Sequence, residues 1–171
     1  MATASQTLAE VFADVAVESG LSRPAGQCFS AIWRAAQAPC ADDLVNALGL
    51  SRSNISTALK DLRAWGLISI ARTPGDRKEY FTAPADPWEV MRLLMAARQR
   101  QVIAPLLDRL LMAEALVEDA RIAALHAVMS KISQAASVLT ALDAGAFARQ
   151  IGALAADTDT PKKKKKKHKG S

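Results

Sequence analysis

The chain has 171 residues, half of them hydrophobic and 5% aromatic, with a formal net charge of +5. That apolar content excludes a wholly disordered chain, and the length suits one domain with a real core or a small domain with an appended dimer module. The charge misleads: residues 157–171 hold seven lysines and two aspartates, so the remaining body carries fifteen basic and fifteen acidic residues. Within that neutral body, residues 51–78 carry Arg52, Lys60, Arg63, Arg72, Arg77 and Lys78 against Asp61 and Asp76. One basic element on a neutral body points to a localised anion-binding face.

No basic leader precedes an apolar run, and no uncharged apolar stretch reaches about 18 residues, so neither a signal peptide nor a membrane partner is expected. Cys28 and Cys40 lack metal or redox-motif spacing, which fits a cytoplasmic protein with reduced thiols.

Leu8, Val11, Phe12, Val15 and Ser19 share helical spacing and predict an amphipathic helix over 6–19, stopped by Gly20. Pro24 suits a first helical turn, and a buried helix over 24–37 follows, with Ala25, Phe29, Ile32, Trp33 and Ala36 on one side and Pro39 at its end. Asp42 and Asp43 favour a helix start. Leu44, Val45, Ala47 and Leu48 supply its stripe, Gly49 allows a tight bend, and Ser51 is a good N-cap. Helix, Gly-containing turn and helix make a helix-turn-helix.

In the helix after Ser51, the 3.6-residue period puts Ile55, Ala58, Leu59 and Leu62 on an inner face. Ser53, Ser56, Thr57 and Lys60 fall opposite, with Arg52 and Arg63 at the flanks. Short hydroxyls permit close approach and one long cation adds charge, a composition suited to the DNA major groove; a solvated helix face is the bland alternative. Residues 67–71 read as a strand, Thr73-Pro74-Gly75-Asp76 as a turn, and 78–82 as the return strand. Arg72, Arg77 and Lys78 cluster on this hairpin, and Asp76 is expected to pair with a neighbouring Arg and hold it.

After a linker at 83–86, Pro87 opens a long helix to about Leu116, kinked or interrupted at Pro105. A second helix covers about 118–142 and a short one 144–155. Their apolar residues exceed what a small head can cover, so a second subunit is the expected partner. The expected architecture is mainly α with a small β-hairpin wing: a winged helix-turn-helix over 1–85, helical dimerisation over 86–156, and a disordered Lys-rich tail over 157–171. The tail reads equally as an arm adding sequence-independent DNA affinity, a solubility extension or an expression remnant.

The pattern resembles the GbsR branch of the MarR-like winged-helix transcriptional regulators. The resemblance rests on Gly20 to Gly26, Leu44 to Leu59, Leu62, Trp65-Gly66-Leu67-Ile68, Pro74 to Phe81 and Ile103-Ala104-Pro105-Leu106. It implies a homodimeric bacterial regulator, a repressor by expectation, whose helix from Ser51 enters the major groove of double-stranded DNA at a pseudo-palindromic operator. Lys78 stands where many relatives have Arg, keeping the charge and losing the bidentate fork. Some relatives answer to choline-type or other small molecules, which leaves room for a small-molecule effector, although no aromatic cage is evident.

The expected contacts divide by reach. Ser53, Ser56, Thr57 and Lys60 face base edges, Ser51, Arg52, Asn54 and Arg63 mostly meet phosphates, and Arg72, Arg77 and Lys78 serve the wing. The expected location is the cytoplasm, at the nucleoid. A winged-helix module binding an acidic protein is the rival reading. His126, Cys28 and Trp88 read as packing residues. The chain lacks GxxxxGK[ST], GxSxG and HExxH, so no catalysis, cofactor or metal is expected.

Overall fold

The computed structural model describes residues 4–72 and 74–158. The Lys-rich stretch of the tail lies outside the described residues, and the last helix runs to Thr158, past the expected boundary at 157. The order is α1 (Ala4–Ser19), α2 (Arg23–Arg34), α3 (Ala41–Leu48), α4 (Arg52–Ala64), β1 (Ser69–Ala71), β2 (Tyr80–Thr82), α5 (Pro87–Arg98), α6 (Ala104–Leu116), α7 (Ala120–Thr140) and α8 (Ala144–Thr158). The strands are antiparallel, with Ile70 opposite Phe81, and shorter than the sequence suggests. The hydrophobic side chains Leu67 and Ile68 precede β1 and are buried as irregular chain.

One core joins α1 to α5. Ala25, Cys28, Phe29 and Ile32 of α2 meet Leu44 of α3, Ile55, Ala58, Leu59 and Leu62 of α4, and Phe81 of β2. Ala97 of α5 belongs to the same cluster, with Val90, Leu93 and Leu94 packed against it. Helix α2 ends at Arg34, where Ala35 turns extended, so Ala36 is exposed rather than part of a buried face.

The buried face of α1 also differs from expectation. Ala13 and Ala16 are inside, while Leu8, Val11 and Val15 are exposed. The cause is closeness. A Cβ at Gly26 would stand 2.5 Å from the Phe12 carbonyl oxygen and 2.6 Å from the Ala13 Cα. Only small residues fit where α1 crosses α2, so the larger side chains turn outward. Phe12, half-buried beside this crossing, packs against Phe29 and Trp33 at ring-centroid distances of 6.0 and 5.7 Å.

Between α5 and α6 the helix passes through a π-turn over Gln99–Ile103. The Ala104 N–H reaches back to the Gln99 carbonyl, which widens the turn just ahead of Pro105, a residue with no N–H to give. The expected interruption at Pro105 is therefore absorbed upstream without breaking the rod. Arg92 clamps α5 to the end of α7, donating to Glu89 at 2.6 and 2.7 Å and to the Thr140 carbonyl at 2.8 Å. Helix α8 docks on α5 through buried Phe147, edge-on to Trp88, which is itself exposed and not a core residue.

Helix α7 is long and apolar enough to cross a membrane by composition alone, a property the sequence reading does not anticipate. It lies against α6 and α5, and its Ser133 receives a hydrogen bond from the Gln99 amide.

Gly26→Ala is expected to lower stability by about 1–3 kcal/mol through overpacking, because the new Cβ meets backbone that cannot swing away. Chemical denaturation, with a lower midpoint at unchanged slope, measures it.

Candidate nucleic-acid interface

The turn between α3 and α4 is made by Gly49, whose φ of 66° is left-handed and whose N–H bonds the Val45 carbonyl at 3.0 Å. Ser51 then caps α4, its Oγ accepting the Asn54 N–H at 3.2 Å. At the other end of α3, Asp43 accepts the Cys40 N–H at 2.9 Å, and that bond holds its carboxyl below the ordinary carboxylate range. Both helices of the unit are thus fixed at their first turns by side chains the local sequence supplies.

Fixing α4 by Ile55, Ala58, Leu59 and Leu62 decides what faces outward. Ser53, Asn54, Ser56, Thr57, Lys60 and Arg63 are all exposed, as are Ser51 and Arg52 at the start. The exposed hydroxyls and Lys60 lie along one face of a rigid, packed helix.

The wing is held by a network the sequence reading misassigns. Asp76 does not pair with an arginine. Its carboxylate accepts the Lys78 N–H at 2.9 Å and the Tyr80 hydroxyl at 2.7 Å. The arginine pairing instead joins Arg72 to Glu79 at 3.2 Å. An Asp two residues before an N–H and four before a Tyr in a Gly-containing loop is the local signal for such a staple. The wing's base is tied inward as well: the Phe81 N–H donates to the Pro39 carbonyl at 2.9 Å, and Tyr80 bridges Cys40.

These ties leave Arg77 and Lys78 exposed beside the first turn of α4. Between wing and helix lies an open cleft of about 360 Å³ lined by Asp42, Arg52, Arg77, Lys78 and Glu79, among others. Arg72, just past the end of β1, is partnered by Glu79 instead. Lys60 and Arg63 border a separate shallow depression along α4. The structure therefore brings Arg52, Arg77 and Lys78 together and keeps Lys60 and Arg63 further along the helix.

Residues 19–79, which run from the end of α1 to the wing, match the MarR family model. That stretch is similar to the MarR family over about a third of the chain. A solved structure of a transcriptional regulator superposes with a TM-score of 0.66 at 20% identity, covering 81% of this chain and 97% of that one. No curated protein matches the chain.

Other chemistry among the described residues is quiet. Burial pushes the Cys28 thiol up to about 12, so it is a packing group with little thiolate. His126 is half-buried and meets Glu114 at 2.7 Å, joining α7 to α6. Among the described residues no three His, Cys, Asp or Glu side chains gather as a metal site.

The Asp76 staple has a pH window. The Lys78 N–H and the Tyr80 hydroxyl depress the Asp76 pKa, so its contribution is complete above 3.8 and is lost as pH falls through the depressed value. The Tyr80 pKa is raised by the same bond, so that side fails only as pH rises through a value above 10.0. An NMR titration is expected to show an Asp76 midpoint below 3.8, with Asp76→Asn speeding exchange of the Lys78 amide at neutral pH.

Proposed function

We propose that this protein is a homodimeric transcriptional repressor of the GbsR-like branch, cytoplasmic and nucleoid-associated, reading a pseudo-palindromic operator. The observation that carries this reading is the exposed hydroxyl-and-lysine face of α4, rigidly backed and flanked by a basic wing. Short side chains at Ser53, Ser56 and Thr57 let the helix approach base edges, and Lys60 reaches further along the same face. Ser51, Arg52, Asn54 and Arg63 take phosphates, with Ser51 and Asn54 already joined by the cap. Arg77 and Lys78 take the adjacent backbone or minor groove, and Arg72 contributes from just past the end of β1.

The proposed domains are a DNA-binding head over 1–85, a dimerisation region over 86–156 and the tail from 157. The α6–α7 pair supports a partner subunit: Met112 is 69% exposed, Leu116 85% and Ile132 65%, with Leu111, Leu125 and Val128 also outside. Apolar surface on this scale belongs under a partner. A second copy suits it best, because symmetry would set two α4 helices at a fixed spacing on the duplex. The length and hydropathy of α7 then serve subunit packing rather than a membrane.

For an effector, the structure offers a small apolar cavity of about 70 Å³ between α1, α2, α4 and α5, lined by residues that include Phe12, Phe29, Leu62 and Met91. It suits a small apolar group: Phe12 and Phe29 line it, but no acidic side chain does to balance a quaternary ammonium ion.

Duplexes enriched by the protein from a random-sequence pool test the DNA reading. Lys60→Ala and Arg77→Ala should each weaken the enriched duplex, Lys60→Ala by about 1–3 kcal/mol for a lost base contact, and Arg77→Ala with a salt slope lower by about one. Unchanged binding in both variants sinks the reading, and enrichment of a protein with no DNA preference favours the interaction-module alternative.

Analytical ultracentrifugation tests the subunit reading. Met112→Glu with Ile132→Glu should convert a dimer into monomer, since two buried charges without partners cost several kcal/mol. A monomeric wild-type protein at micromolar concentration would refute it.

A further inference from the structure

The cleft between the wing and α4 contains acids as well as cations. Asp42, in the first turn of α3, accepts an ion-paired hydrogen bond from Nη2 of Arg52, the first residue of α4. Ten residues and the Gly49 bend separate the two, yet the helix-turn-helix geometry brings them together. The pair sits at the surface, the Arg52 side chain 77% exposed and that of Asp42 48% exposed. An exposed pair of this kind contributes little to folding, since solvent screens it and long side chains lose entropy to it. The start of α3 already favours an acid at position 42, but that does not account for its pairing with Arg52 beside the proposed DNA face.

Its geometry matters more than its energy. Arg52 lines the same cleft as Arg77 and Lys78, between the elements that bracket a duplex in the proposed reading. A free arginine at a helix start samples many rotamers and can meet a phosphate from several directions. One arginine held through Nη2 keeps Nε and Nη1 for a second acceptor in a restricted direction, since no other described residue takes them. Pre-ordering lowers the entropy lost on binding where the phosphate lies in that direction. Where it lies elsewhere, the bond to Asp42 must break, and the carboxylate also repels the backbone.

We propose that Asp42 is a specificity-determining positioning residue that holds Arg52 for one phosphate of the correctly registered duplex and disfavours other registers. The proposal rests on the DNA-binding reading above. It makes the acid beside the recognition helix a source of discrimination rather than a loss of affinity.

Affinities for an enriched duplex and for a random duplex, across a range of salt, test it in the full-length chain. The variants are Asp42→Asn, Asp42→Glu, Arg52→Gln and the double variant Asp42→Asn with Arg52→Gln. Asp42→Asn should lower the ratio of enriched to random affinity by about three- to tenfold, mostly by strengthening random binding, with at most a small drop in melting midpoint from the lost carboxylate at the start of α3. Asp42→Glu should recover most of the ratio, and the double variant should be no less selective than Arg52→Gln alone. The proposal is overturned if Asp42→Asn raises both affinities by one factor, which is plain charge removal, or if its effect persists undiminished without Arg52. A wild-type chain that enriches no duplex at all overturns the DNA-binding reading itself, an outcome distinct from either of these.

Discussion

A helix can offer one face to a partner reproducibly only when its opposite face is fixed, and here the fixing is done by Ile55, Ala58, Leu59 and Leu62. All four are buried in the core that also holds Phe29, Ile32, Leu44 and Phe81. Rotating α4 by one residue, about 100°, would bring Ser56 inward and Ile55 outward, so burial itself sets the azimuth of the exposed hydroxyls. The wing inherits the same constraint. Phe81 anchors β2 in that core, and its N–H is tied to Pro39 at the approach to α3. The relative placement of Lys60, Arg77 and Lys78 is thus a consequence of apolar packing, several residues away from any charge.

The same core continues into the helical arm. Ala97 packs among the head's residues with no exposed surface, and Arg98 donates to the Glu18 carbonyl at the end of α1. Directly after Arg98 the rod enters the π-turn, where Gln99 bonds Ser133 of α7. Head and arm therefore share α5 as a common structural member. In the dimeric reading, a change in how two arms pack cannot be absorbed at a loose linker. It has to be taken up either at the π-turn, whose widened hydrogen bonds are the least regular part of the rod, or at the small cavity beside α1 and α5.

Much of this was legible in the sequence for a definable reason. The inner face of α4 is written in the 3.6-residue period, the caps at Ser51 and Asp43 in residue type, and the wing's turn in Pro74-Gly75. These are local codes, settled within a few residues. What escaped depends on distance across the fold. Two stripes compete on α1, and the larger, more hydrophobic one loses because Gly26 draws the helices too close for it. Pro105 marks an irregularity but not its form, since the π-turn that accommodates it lies upstream. Asp76 carries the sequence signature of an Asx-type bond as well as of an ion pair, and only the loop's path shows that Tyr80 and the Lys78 N–H claim it. Arg52 and Asp42 lie on different helices, so no periodicity links them. The candidate base-facing residues were accordingly easier to name than the groups that orient them.

The balance of charge across the head follows from that division. Lys and Arg beside a duplex raise affinity for every sequence alike, because phosphates repeat along all of them. A regulator must instead widen the gap between its site and a large excess of other sequence. In this chain several cations of the head are restrained: Arg52 by Asp42 and Arg72 by Glu79, while Asp76 orders the loop that bears Arg77 and Lys78. Each acid reduces unspecific attraction and at the same time narrows the directions from which a cation can act. A neutral body with an ordered, partly self-compensated basic face can therefore discriminate better than a more basic one, and on this view the acids of the head are as much a part of the proposed recognition surface as its lysines and arginines.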